Sequence, residues 1–227
     1  MVEHLVDVVL MFEGDRQHLF RMLRGIKNRF GPTSELGVFA MGQAGLEPVE
    51  DPSRALLAER PTDAAGSVVA AVLEGSRPLL VEIQALVAPS YGMPRRVVTG
   101  LDAHRVALAL AVLERHAGAR LGDRDVFVKV TGGVEVDDPA VDLAVVAAVA
   151  SSLAGQAVPE GSVLVGEVGL TGEIRSAPRI AERLKEAAQL GFHHSLAPNA
   201  VEGYRVETVK TVASALRAMG LRLTHDE

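Results

Sequence analysis

Residues 135–153 read EVDDPAVDLAVVAAVASSL, and two adjacent carboxylates, Asp137 and Asp138, stand before a proline and an apolar run. Two carboxylates can share general acid–base work when their surroundings separate their pKa values. Adjacent acids ahead of a proline are better explained as a helix N-terminus. One side chain accepts from free backbone N–H groups there, and negative charge is favoured by roughly 0.3–1 kcal/mol. A glycine turn, an acidic pair and a buried helix are also how some hydrolases present a nucleophile. Here no Ser, Thr or Cys stands near the helix start. The second chemical group is IKNRFG, in which Lys27 and Arg29 are separated by one residue. In an extended segment both point to one side. Taken alone, the two cations read as a solvated loop.

The third group is cationic and scattered. Arg175, Arg179 and Arg183 recur at i, i+4 and i+8 around the start of a helix, with Glu182 and Glu186 close by in sequence. Like charges at that spacing repel by a few tenths of a kcal/mol, so the row reads either as a phosphate-binding patch or as an ordinary solvated face. Arg95 and Arg96 are adjacent, Arg105 falls in the first turn of a helix, and Lys129 lies in a strand before a glycine turn. A patch built from these residues binds DNA without sequence preference and with steep salt dependence. Aromatic content is 4% with no Trp, which gives poor support for a base-stacking platform.

Several chemistries are excluded. The chain has no G-x-x-x-x-G-K-[ST] phosphate loop, no G-x-S-x-G elbow and no H-E-x-x-H pair. It has no cysteine, so thiol catalysis, disulfides and thiolate metal sites are absent, in keeping with a reducing cytosol. The seven His are dispersed, and the adjacent His193 and His194 read as surface or packing residues, so no metal site is expected. No window of about 18 apolar residues calls for a membrane span, and the acidic N-terminal stretch is unlike a signal peptide. Net charge is −6 over 227 residues, so any nucleic-acid surface must be local.

The elements that position these groups follow from periodicity and caps. Residues 1–50 read as strand, loop, strand, and residues 51–66 as a connector with a short helical turn between two prolines. From residue 67 the pattern is strand, strand, helix, strand, helix, strand, helix. Strands are expected over 67–75 and 78–89, paired across the turn at 75–78, and again at 95–100, 125–133 and 162–174, the last with a glycine-bearing turn or hairpin. Helices are expected over 102–117, capped by Asp102 and ended by Gly118, over a nearly all-apolar 139–153, over 178–190, and over roughly 208–219. The fold class is α/β (α+β), with mixed sheets packed by helices. Residues 67–227 form the main domain.

Five blocks carry a resemblance: KNRFG at 27–31, LLVEIQALV at 79–87, PRRVVTGLD at 94–102, KVTGGVEVDDPAVDLA at 129–144 and GEVGLTGEIR at 166–175. Together they are similar, in order and over essentially the whole chain, to the RadA (Sms) family of bacterial DNA-repair proteins. That family joins a zinc knuckle, a RecA-like ATPase and a domain similar to the Lon protease domain, of ribosomal-S5-domain-2-like fold. The resemblance implies that residues 1–50 are the last strands of the ATPase, 51–66 a linker, and 67–227 the Lon-like domain. It implies that Lys27 and Arg29 reach the nucleotide of a neighbouring subunit. ATP, magnesium and zinc are implied for the full-length family member, with no cofactor in this chain.

Active Lon proteases carry Asp-Gly-Pro-Ser-Ala-Gly where this chain has Asp137-Asp138-Pro139-Ala140-Val141-Asp142. The nucleophile position is therefore Ala140. Aligning the following helix places Ala181 at the general-base lysine, with Lys185 one turn further on. A base without a nucleophile does nothing. The resemblance thus implies a proteolytically inactive scaffold in a DNA branch-migration motor, cytoplasmic, assembled as a homohexamer ring. Single-stranded or branched DNA and a recombinase of the RecA type are its expected partners. Two alternatives stay open: an oligomerisation module without DNA contact, and a peptidase using Thr131, Ser151 or Ser176.

Overall fold

A computed structural model of the chain describes residues 4–13, 20–33, 35–42 and 45–223. Four strands make a first sheet: β1 (Val8–Glu13), β2 (Phe20–Asn28), β3 (Leu36–Gly42) and β4 (Gly45–Pro48), each antiparallel to the next in chain order. The strand–loop–strand expectation for this region is corrected here, because the basic middle segment supplies β2. Its alternation is disguised by an inward-facing arginine. Met22, paired with Val38, is buried, and Arg24 lies on the same face two residues on. Glu13 and Glu74 each accept from the Arg24 guanidinium at 2.6 Å. Burial pushes the Glu74 carboxyl up, and the guanidinium beside it opposes that shift. Residues 43 and 44 of the glycine turn read after β3 lie outside the described residues.

The connector contains its helical turn, α1 (Pro52–Leu57), capped by Asp51. It is packed into the body rather than loose. Ser53 is fully buried, and its hydroxyl accepts from Leu80 N and donates to Glu186 Oε1.

The main sheet has seven strands: β5 (Ser67–Glu74), β6 (Arg77–Pro89), β7 (Arg96–Thr99), β8 (Arg124–Val130), β9 (Ser162–Leu164), β12 (His194–Ala197) and β13 (Val206–Thr208). Their order is β13-β12-β9-β5-β6-β8-β7. The expected β5–β6 hairpin is present, its turn at 74–77 one residue earlier than read, and β6–β8 is also antiparallel. The other neighbours run parallel. A short hairpin, β10 (Glu167–Val168) with β11 (Ile174–Arg175), stands apart from it.

Helices cover both faces. α3 (Asp142–Ala154) packs on β5 and β6 and is flanked by α2 (Ala103–Ala117) and α5 (Val212–Ala218). α1 packs on β6, and α4 (Ile180–Gln189) on β5 and β6. The alternation along β5 and β6 explains the two layers. Val68, Ala70, Val72, Leu79, Val81 and Ile83 join the α2–α3–α5 core, and Val69, Ala71 and Leu80 join the core with α4. α2 starts at the Asp102 cap and stops at Gly118, which adopts φ 73°. The last helix is shorter than read: 206–208 is strand, and α5 begins behind a Thr211–Ser214 capping box.

Candidate functional site

The segment before α3 is a single 3₁₀ turn, Pro139–Val141, with Asp138 at its N-cap. The Asp138 carboxylate accepts from Ala140 N at 3.0 Å and from Leu73 N at 2.6 Å. The capping role read for this acid pair is present, while Asp137 is exposed. Ala140 is 1% exposed. It lies in a cleft of about 470 Å³ whose wall includes Asp138, Glu167, Ser176 and Arg183. Ala181 and Lys185 are both exposed on α4.

Arg183 lines the same cleft as Ala140. Its side chain is 1% exposed. Nη1 donates to Asp138 Oδ2 at 2.5 Å and to Ala71 O at 2.8 Å, and Nε donates to Pro178 O at 3.0 Å. The expected surface row of Arg175, Arg179 and Arg183 is therefore broken up. Arg183 is withdrawn into the core by an acid 45 residues away in sequence. Arg179 precedes α4 in a left-handed conformation, φ 55°, and pairs with Glu182 and the Ser76 carbonyl. Arg175 lies on β11 and pairs with Glu173 at 2.6 Å. Hydrogen bonds from the Thr171 side chain, first, and from Arg175 pull Glu173 down to about 2.

A second carboxylate is built in one turn later. Asp142 is buried, accepts from Val168 N at 3.2 Å, and pairs with Arg105 at 3.3 Å. Burial pushes its pKa up, against the Val168 N–H and Arg105. Arg105 is thus tied to the foot of α3.

The possible nucleophiles named from sequence do not converge. Ser151 is fully buried, accepting from Gly66 N and donating to Gln156 O. The Thr131 hydroxyl is buried without a hydrogen-bond partner among the described residues, and Ser176 is exposed. Sequence reading missed a polar relay: Ser162 Oγ lies 3.0 Å from His194 Nδ1, and His194 Nε2 lies 2.8 Å from Glu207 Oε2. Its order is that of a hydrolytic triad, but Ser162 is 3% exposed within the β9–β12 ladder. No substrate carbonyl reaches it, and the relay ties three neighbouring strands together.

Lys27 and Arg29 hold the chain just before β1. Lys27 Nζ donates to Val6 O at 2.8 Å, and Arg29 pairs with Asp7 at 3.0 Å with both side chains largely exposed. The remaining candidates gather at the β7–β8 end of the main sheet. Arg95 pairs with Asp125 and stacks over the Phe127 ring at 5.5 Å. Arg96 donates to the carbonyls of Leu121 and Arg124. Lys129 is exposed on β8. Among the described residues no cluster of His, Asp or Glu is arranged to hold a metal, and no helix is long and apolar enough to cross a membrane.

No protein-family model matches the chain. Curated relatives do. It is similar to "DNA repair protein RadA" of Bacillus subtilis (strain 168), 49% identical over 225 residues, covering 96% of this chain and 49% of that protein. The protein of the same name from Halalkalibacterium halodurans is 45% identical over 227 residues, covering 100% of this chain and 49% of the relative. That of Brucella abortus (strain 2308) is 52% identical over 200 residues, covering 88% and 43%. The chain spans about half the length of the curated relatives it matches.

Proposed function

From a chain that belongs to the RadA family of DNA repair proteins, we propose a non-catalytic, DNA-contacting scaffold within an ATP-dependent motor of recombinational repair. In this reading residues 67–227 are a Lon-protease-like domain that has lost peptide hydrolysis. Residues 1–50 are the last strands of a RecA-like ATPase, and 51–66 join the two. The observation that carries it is the state of the site before α3. Ala140 offers a methyl group where a nucleophile would stand, and the buried Arg183–Asp138 pair lines the same cleft. A general base has nothing to activate there.

Lys27 and Arg29 supply fixed positive charge near the end of β2. Among their present partners are a backbone carbonyl and an exposed carboxylate. A phosphate of a nucleotide bound to a neighbouring copy can replace them, with the two cations stabilising charge on the transferred phosphoryl group. The chain has no phosphate loop of its own, so ATP and magnesium belong on another part of the assembly. Action in trans calls for adjacent copies, hence a closed ring, which we place in the cytoplasm with a RecA-type recombinase as partner.

One paired assay tests this. The chain is incubated with casein or a fluorogenic peptide, and in parallel with labelled branched and single-stranded DNA at two salt concentrations. The expected result is DNA binding that weakens with salt, and no peptide turnover. Turnover abolished by Ser176→Ala or Lys185→Ala contradicts it.

A further inference from the structure

The main sheet ends at β7, and among the described residues no strand lies along the outer side of Arg96–Thr99. Val126 N on β8 donates to Arg95 O, and β7 runs parallel to 126–129. Parallel pairing uses alternate residues, so positions 95, 97 and 99 bond to β8. The N–H and C=O groups of Arg96 and Val98 therefore turn outward. Further along the same edge, Val136 N donates to Gly100 O, and the Leu101–Val136 bridge is parallel. That cover stops at Gly100. The opposite edge of the sheet is defended, because β13 is three residues long and its Glu207 stands beside His194. On β7 the one charged residue, Arg96, folds its guanidinium back onto the carbonyls of Leu121 and Arg124.

The face beside this edge carries a pattern. Register sets Val97 in one row with Phe127 and Leu86, and Thr99 in the next with Lys129 and Gln84. The first row is apolar, with Leu86 58% and Val97 46% exposed. The Arg95 guanidinium already covers the Phe127 ring, so the open apolar surface of the row belongs to Leu86 and Val97. Both rows border a hollow of about 460 Å³ that no carboxylate lines. The cleft beside α2, in contrast, is lined by Asp102, Asp137, Asp142, Glu167 and Glu173. The Lys129 ammonium has no hydrogen-bond or ion-pair partner among the described residues. In a chain of net charge −6, a free cation beside an acid-free hollow favours an anionic group.

We infer that the β7 edge takes up an extended peptide of a partner protein as an added strand, parallel to β7. An apolar residue sits beside Val97 and an acidic residue, two places on, beside Thr99. The outward groups of Arg96 and Val98 hold the peptide backbone, and the side-chain rows set its sequence preference. Alternation puts the apolar and the acidic side chain on the same face, toward the hollow. The acidic residue then lies two strand spacings, about 10 Å, from Lys129, a span that the two long side chains close across Thr99. The inference goes beyond the DNA-contacting reading and does not depend on it.

The test titrates the peptide TTLTETT, to millimolar concentration, into the isotope-labelled whole chain and follows its amide signals. The Arg96 and Val98 amide protons should move downfield as they gain acceptors. Those of Val97 and Thr99, already bonded to β8, should move much less. The peptide TTLTQTT should bind about threefold more weakly, and Lys129→Ala should bind both peptides alike. TTTLETT, with Leu and Glu on opposite faces, should bind more weakly than either. Val98→Pro removes an outward N–H that the β8 ladder does not use, as an edge strand tolerates, and should abolish binding with the circular dichroism unchanged. If that variant folds poorly, the parent still decides. N-methylation of the peptide's Leu or Glu amide should abolish binding, and that of the Thr between them should not. Equal binding of all three peptides, shifts away from β7, or no shift at all overturns the inference. If the Arg96 and Val98 signals move instead as the chain itself is concentrated, with a rising mass by light scattering, the edge pairs copies and the inference fails.

Discussion

Replacing Arg183 by Met tests whether the region around Ala140 is structural. Met fills much of the space without a charge or a donor. Three hydrogen bonds from a guanidinium that is 1% exposed disappear, to Asp138 Oδ2, Ala71 O and Pro178 O. Breaking a buried pair by removing one partner costs about 3–5 kcal/mol, because the other charge stays buried. Here Asp138 keeps two backbone donors, Leu73 N and Ala140 N. That compensation holds the cost near the lower end, about 3 kcal/mol. Asp138→Asn leaves the arginine charge facing carbonyls and a neutral amide, so it should cost at least as much. The double variant should cost clearly less than the sum, because no unpaired charge remains. Urea unfolding followed by circular dichroism measures all three, with a constant slope establishing that stability changed rather than the unfolding mechanism. A loss under about 1 kcal/mol in Arg183→Met, or strict additivity in the double variant, refutes the assignment of Arg183 as a buried structural cation.

Asp142 gives a pH prediction with a defined sign. Burial raises its folded pKa above the ordinary value of 3.8, so the folded state holds this proton more tightly than the unfolded chain. Its contribution to stability is complete below 3.8 and is lost as pH rises through the raised folded value. The stability difference, parent minus Asp142→Asn, should therefore fall as pH rises across that window; a rising difference contradicts the burial. Gly66 adopts φ +87°, and a Cβ there would lie 2.2 Å from Ala85 O. Gly66→Ala should lower stability by at least about 2 kcal/mol in the same urea assay, and a neutral effect would show that the 61–67 loop does not bear on β6.

The sequence announced elements whose signals are local. The β5–β6 hairpin, the α2 caps at Asp102 and Gly118, and the apolar α3 all appear where periodicity and capping put them. It concealed elements decided by distant partners. β2 was obscured because Arg24 occupies an inward position, which is tolerable only with Glu13 and Glu74 on other strands. Arg183 looked like one of a solvated row, since nothing near it in sequence announces the pair with Asp138. β12 and β13 are short and parallel to their neighbours, and their ladders depend on strands distant in the chain.

In the proposed function this chain contacts DNA through charge and does not cut peptides. The slope of log affinity against log salt for a branched DNA, measured on the whole chain, tests it most directly. The expected result is a straight line of negative slope, roughly 0.7–0.9 for each phosphate neutralised, and the same line for unrelated sequences. Absence of binding at the lowest salt, or an affinity that does not change with salt, would contradict it.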